Sequence, residues 1–129
     1  SWYTGKNDKA AIKLAYSNDR GNSFNLIEDI HGQTLDANHP NMMINGKEAW
    51  IIFQGRDPNQ SGGWGREKAW LVRVKSDNEI SKPSPLPSTG EGVAYPYLVK
   101  GNGGRIYATW TEVGQEGPKV MLCRGRIKS

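Results

Sequence analysis

The densest group of chemically capable side chains lies in one loop-like stretch, Gly55-Arg56-Asp57-Pro58-Asn59-Gln60-Ser61-Gly62-Gly63-Trp64-Gly65-Arg66-Glu67. Arg56 and Arg66 carry planar guanidinium groups that can clamp a carboxylate through two parallel hydrogen bonds. Trp64, if exposed, can stack on the face of a sugar ring. Asp57 or Glu67 can serve as an acid or base where its surroundings raise the carboxyl pKa. Hydrolysis of a glycosidic bond calls for two carboxylates at a defined separation, which spacing along a glycine-rich loop does not set. The competing reading is a loop whose charges neutralise one another.

A second group precedes two apolar segments: His31, Asp36 and His39 before one, Glu91 and Tyr95 before the other. His39 and Tyr95 each stand directly before a proline, Pro40 and Pro96, so a shared packing role is expected, with ligand contact as the alternative. Two histidines without a cysteine or a carboxylate set beside them are a weak metal signal, and no metal site is expected. Gly101-Asn102-Gly103-Gly104 joins two strand-like runs rather than opening a helix, so it is not a phosphate cradle, and no cofactor is expected.

A third group, Ser17-x-Asp19-x-Gly21-x-Ser23-Phe24, follows the apolar run Ala11 to Tyr16. Its chemistry is that of a turn. Ser17 and Asp19 present oxygens to backbone N–H groups, and Gly21 can adopt the positive φ that closes a hairpin. Phe24 is expected to open the return strand with a large ring to bury.

The elements that hold these groups repeat along the chain. His39-Pro40 through Phe53 parallels Tyr95-Pro96 through Trp110: aromatic-proline, short apolar strand, glycine turn, aromatic-rich strand. Pro40 and Pro96 are 56 residues apart (96 − 40), and Phe53 and Trp110 are 57 apart (110 − 53). Ala11–Ser17, Trp70–Ser76 and Lys119–Gly125 form a second series, and Trp2 aligns with Phe53 and Trp110. Ser76-Asp77-Asn78 reads as a decayed copy of the serine–aspartate turn. Naming the strands of one repeat A to D, the first repeat holds an end of B at Trp2 and Tyr3, C at 11–17 and D at about 25–30. The second holds A at 41–45, B at 48–54, C at 69–76 and D at about 80–84; the third holds A at 96–100, B at 105–111 and C at 119–126. The expected fold is all-β. Four short antiparallel strands per repeat of about 50 residues fit β-propeller blades, about two to two and a half of them, in an incomplete ring. The units fall at 1–35 (incomplete), 36–90 (complete) and 91–129 (incomplete) within one partial propeller.

Composition agrees. The 129 residues include 16 glycines, 7 prolines, 5 tryptophans and 5 tyrosines, a turn-rich and aromatic-rich balance without a helical apolar period. The net charge is +4, but acidic residues lie near most of the Lys and Arg, so a solvated surface is expected rather than a nucleic-acid face. Cys123 is single and sits in an apolar run, a buried thiol by expectation. No apolar run is long enough for a membrane-spanning helix. A chain that begins at Ser1 rather than Met fits a processed product or a piece of a longer protein.

The Ser17–Phe24 motif, the aromatic-proline starts and the strand ending near Trp110 together resemble the sialidase-like β-propellers built from BNR, or Asp-box, repeats. The resemblance implies that Ser17, Asp19, Gly21, Ser23 and Phe24 are structural and lie on the face opposite the ligand site. It places the B–C and D–A loops on the functional face, making Arg56, Asp57, Trp64, Arg66, Glu67, His39 and Tyr95 the ligand-binding candidates. Sialidases carry their first catalytic arginine in an Arg-Ile-Pro motif; here Arg105-Ile106 runs into Tyr107, so no catalytic residue carries over. The expected function is therefore a module that binds a glycan or a protein. The alternative is a piece of a sialidase-like glycoside hydrolase whose catalytic residues lie mostly elsewhere. A ring needs four to eight blades, so the chain is expected either to assemble with copies of itself or to belong to a longer chain. An extracellular or cell-surface location is implied by the resemblance alone.

Overall fold

The computed structural model describes residues 1–4, 10–59, 67–76, 79–88, 92–114 and 116–127. Among these there are eleven strands and no helix. The strands are β1 (Trp2–Thr4), β2 (Ala11–Tyr16), β3 (Asn25–Ile27), β4 (Leu35–Asn45), β5 (Glu48–Arg56), β6 (Glu67–Ser76), β7 (Glu79–Ile80), β8 (Ser84–Pro85), β9 (Gly92–Lys100), β10 (Arg105–Val113) and β11 (Lys119–Arg126). They form three antiparallel sheets, none closed on itself: β1-β2-β3, then β4-β5-β6 with β7 and β8 both paired to β6, then β9-β10-β11. Apart from β8, which pairs with β6 rather than β7, sequence neighbours pair within each sheet, the meander expected from short apolar runs separated by glycine turns.

The middle sheet explains the long apolar run at Ala49–Phe53. Successive residues of a strand point to opposite faces. Ala49, Ile51 and Phe53 pack against Ile12, Leu14 and Ile27 of the first sheet. Trp50 and Ile52 pack against Val93, Leu98, Ile106, Ala108 and Trp110 of the third. β5 is thus buried on both faces, which is why it reads as a continuous rather than an alternating run. Ile51, Ile52 and Phe53 have no exposed surface, and each such burial contributes about 1.5–3 kcal/mol. In the third sheet, Ile106, Ala108 and Trp110 face the middle sheet, while Tyr107, Thr109 and Thr111 alternate with them. Cys123 is half-buried against this second core rather than fully enclosed.

The expected strand order and pairing are those observed, but the boundaries differ. β4 and β9 begin at Leu35 and Gly92, well before the aromatic-proline pairs expected to open them. Each pair instead sits inside its strand as a bulge. β4 shifts register between Leu35 and Asn38 and again between Asn38 and Asn41. β9 shifts where Tyr97 pairs with Thr109 and Ala94 with Thr111, leaving Tyr95 and Pro96 over. Asp36, His39 and Tyr95 have φ of 52°, 50° and 55°, a left-handed conformation that non-glycine residues seldom adopt. A bulge is where a sheet tolerates proline, because no ladder N–H is needed there. The D strands are shorter than expected. β3 stops at Ile27, and the second D strand is split into β7 and β8, interrupted near Pro83. Phe24 corrects its expectation: it precedes β3 and is 65% exposed, because it lies in the turn beside an edge strand rather than in the return strand itself.

Candidate functional site

Strand directions sort the loops into two ends. The turns at 17–24, 46–47 and 101–104 lie at one end, where Asn18, Gly46, Lys47 and Lys75 meet around a cleft of about 710 Å³. The starts of β4, β6 and β9 and the ends of β5 and β10 form the other end, here called the rim.

At the turn end, the serine–aspartate motif closes on itself. Asp19 Oδ1 accepts from the Ser17 hydroxyl at 2.7 Å and from the Ser23 N–H at 2.8 Å, while Oδ2 accepts from the Ser23 hydroxyl at 2.5 Å. Ser17 Oγ accepts the N–H groups of Asp19 and Gly21 at 3.2 and 2.8 Å. Gly21 has φ 90°, which needs glycine. The hydrogen bonds from Ser23 and Ser17 hold the Asp19 carboxyl down at about 2. That carboxylate is saturated with donors from its own turn. The nearby cleft has apolar walls, among them Leu14, Ile27, Met42, Ile44 and Val74. Its acidic member, Glu48, is engaged by Arg73 at 2.6 and 3.0 Å. The Arg73 hydrogen bonds keep the Glu48 carboxyl below its usual range, and Arg73 also lies 4.8 Å over the Trp50 ring.

The rim assembles the chemistry. Leu35, Arg56 and Glu67 sit side by side on β4, β5 and β6, since Leu35 pairs with Arg56 and Arg56 with Glu67. The bulge at the start of β4 sets Asp36 beside this row. Burial pushes the Asp36 carboxyl up, and the charge of Glu67 pushes it further the same way. Asp36, Arg56 and Glu67 are all half-buried. Asp57 is partly committed elsewhere: Oδ1 accepts the Asn59 N–H at 2.9 Å, closing a turn, and Oδ2 lies 3.9 Å from Lys68 Nζ. Gly55 makes the row possible, because a Cβ there would lie 2.4 Å from Thr34 Cγ2 and 3.1 Å from the Leu35 carbonyl. The Gly55 carbonyl in turn accepts the indole N–H of Trp70 at 2.9 Å.

His39 and Tyr95 meet at the inner end of the rim, edge to face, with ring centroids 5.3 Å apart. His39 also bonds to Asn38 through its Nδ1. Tyr95 donates its N–H to Gln54 Oε1 at 3.0 Å, and Leu98 donates its own to Asn41 Oδ1 at 2.9 Å, tying the third sheet to the middle one. Both rings remain exposed, Tyr95 by 68%. The expected packing role is thus half the account: the rings pack on each other and still present a surface. His31 is occupied structurally, its Nδ1 accepting the Ile12 N–H at 3.3 Å. Among the described residues no group of histidine, cysteine, aspartate and glutamate could hold a metal ion.

Of the seven ligand-binding candidates, the structure gathers Arg56, Glu67, His39 and Tyr95 on the rim, with Asp57 beside them and turned to Asn59 and Lys68. Trp64 and Arg66 lie outside the described residues, as do Glu91 and the decayed turn at Asp77 and Asn78. Two carboxylates gain standing. Asp36 stood out only as a loop acid, and its place beside Glu67 comes from a bulge that spacing does not reveal. Glu112 is buried near the end of β10, where its Oε1 accepts the Trp110 indole N–H at 3.1 Å. An acid alternating into the buried face of a strand was the available signal.

No protein-family model matches the chain, and no curated protein does. Two solved structures share its fold. One is a glycosyl hydrolase from Bacteroides ovatus, with 13% identity and a TM-score of 0.54. The other is a putative glycoside hydrolase from Parabacteroides distasonis ATCC 8503, with 17% identity and a TM-score of 0.51. Each match covers 70% of this chain and 29% of the solved one. The chain therefore has a glycoside-hydrolase-like fold and corresponds to less than a third of the length of those proteins. At these identities the likeness concerns the arrangement of strands, not the residues of a site.

Proposed function

We propose that the chain is a carbohydrate-binding part of a glycoside-hydrolase-like β-propeller, with its three sheets as successive blades spanning 1–35, 36–90 and 91–129, and that the rim is the binding face. The observation that carries this reading is the placement of Asp36, Arg56 and Glu67 at the same end of the sheets as the exposed His39–Tyr95 pair. Sugars present hydroxyls to charged, bidentate partners and apolar C–H faces to aromatic rings, and the rim offers both. The serine–aspartate turn takes no part in binding; it staples β2 to β3 at the far end, as an Asp-box does.

A second reading, a piece of a hydrolase, draws on Asp36. A carboxyl raised by burial and by a neighbouring carboxylate has the property of a general acid, and the neighbour can then act as base or nucleophile. A panel of fluorogenic glycosides tests it: turnover abolished by both Asp36→Asn and Glu67→Gln supports catalysis, and turnover untouched by either rejects it.

Binding is tested by a glycan array followed by calorimetry on the best oligosaccharide. Arg56→Ala and Tyr95→Ala should each weaken binding about tenfold or more, the scale of losing one charged hydrogen bond or one stacked ring. Unchanged affinity in both variants would remove the rim from the account.

A further inference from the structure

The stack contains two sheet-to-sheet interfaces, and the positions that build them recur. In the C-strand series, Ile12, Leu71 and Val120 are equivalent, as are Leu14, Arg73 and Leu122. Ile12 and Leu14 are 0% and 4% exposed because the middle sheet covers them. Leu71 packs into the core between the middle and third sheets. Val120 and Leu122 are 81% and 67% exposed. Tyr97 and Val99, exposed by 54% and 48%, share their face, since Thr109 pairs with both Tyr97 and Leu122, and Tyr107 pairs with Val99. The outer face of the third sheet thus carries Val120, whose equivalents Ile12 and Leu71 pack under a neighbouring sheet, and Leu122, whose equivalents are the buried Leu14 and the half-buried Arg73.

The opposite end of the stack carries the other half. Phe53 and Trp110 each insert into the core shared with the preceding sheet. The aligned Trp2 belongs to the first sheet and is 41% exposed. It pairs with Lys13, which alternates with Ile12 and Leu14 and so faces away from the middle sheet. Leu26, paired with Ala15, shares that outward face and is 51% exposed.

We propose that these two bare faces bind each other between copies of this chain. The β9–β11 face of one copy, with Val120 and Leu122, seats on the Trp2 and Leu26 face of the next, continuing the interface that the molecule already makes twice internally. Such a contact is head-to-tail, joining two different patches, and it closes into a ring or extends as a chain of copies. It buries apolar patches of the kind that soluble monomers seldom leave bare. The inference stands on the sheet repeat and is independent of what the rim binds.

Light scattering and sedimentation velocity on the 129-residue chain test it, from micromolar to hundreds of micromolar concentration. Association that grows with concentration is expected. Leu122→Asp and Leu26→Asp each remove one face and should each give a monomer with unchanged circular dichroism, both sites being exposed within one copy. An equimolar mixture of the two variants should form a one-to-one complex and nothing larger, because one intact copy of each face remains. Val120→Asp replaces Leu122→Asp should that variant lose its strand signal. A wild-type monomer at every concentration overturns the proposal. So does continued self-association of either variant, or a mixture that stays monomeric.

Discussion

Individual side chains divide into those that hold turns and those left to act. Ser17, Asp19 and Ser23 satisfy one another and the backbone between them, so their loss should register in stability alone. Ser17→Ala removes the one oxygen that accepts two N–H groups and donates to Asp19, and should cost about 1 kcal/mol by chemical denaturation. Asp19 titrates at about 2 in the folded chain, below its unfolded value of 3.8. Its contribution is therefore complete above about pH 4 and is lost as pH falls toward 2. Asp19→Asn should flatten this acid limb in thermal melts. Asp36 has the opposite sign. Its carboxyl is raised in the fold, so ionising it opposes folding, and the stability it contributes at low pH is lost as pH rises through its folded pKa. Asp36→Asn should raise the melting temperature near pH 7 and leave it unchanged near pH 3. A lower melting temperature at pH 7 would show that the ionised carboxylate is held by a favourable contact instead.

At the scale of elements, strand identity and order were legible because apolar alternation and glycine turns are local signals. The unbroken run Ala49–Phe53 gave β5 as a strand, but its burial on both faces comes from the sheets packed on either side of it. The bulges were not legible. Whether Asp36, His39 and Tyr95 adopt positive φ depends on how β4 and β9 fit against β5 and β10, which no local spacing encodes. The site inherits that limit: Arg56 and Glu67, expected in a loop after residue 54 and before residue 69, instead extend β5 and β6 and pair with each other, and Asp36 reaches them only through the bulge. Gly55 links fold and site. Gly55→Ala forces a Cβ onto Thr34 and the Leu35 backbone, and should destabilise by about 1–3 kcal/mol while displacing the start of β4. Phe53→Ala opens a cavity in the core between the first two sheets and should cost about 3–5 kcal/mol. Urea titrations of both variants measure these losses.

For the whole molecule, the middle sheet belongs to both cores, so among the described residues each outer sheet shares its core with it. Unfolding should be one transition, with circular dichroism and tryptophan fluorescence coinciding; separate transitions would show that the sheets fold as independent units. The same architecture puts the serine–aspartate turn and the apolar cleft at one end of the stack and Asp36, Arg56, Glu67, His39 and Tyr95 at the other. Carbohydrate binding at the rim is decided by a heteronuclear NMR titration of the labelled chain with neutral and acidic oligosaccharides. Shifts should concentrate at Asp36, His39, Arg56, Glu67 and Tyr95, with Ser17, Asp19 and Ser23 unmoved. Shifts confined to the turn end and its apolar cleft, or none with any oligosaccharide, would contradict it.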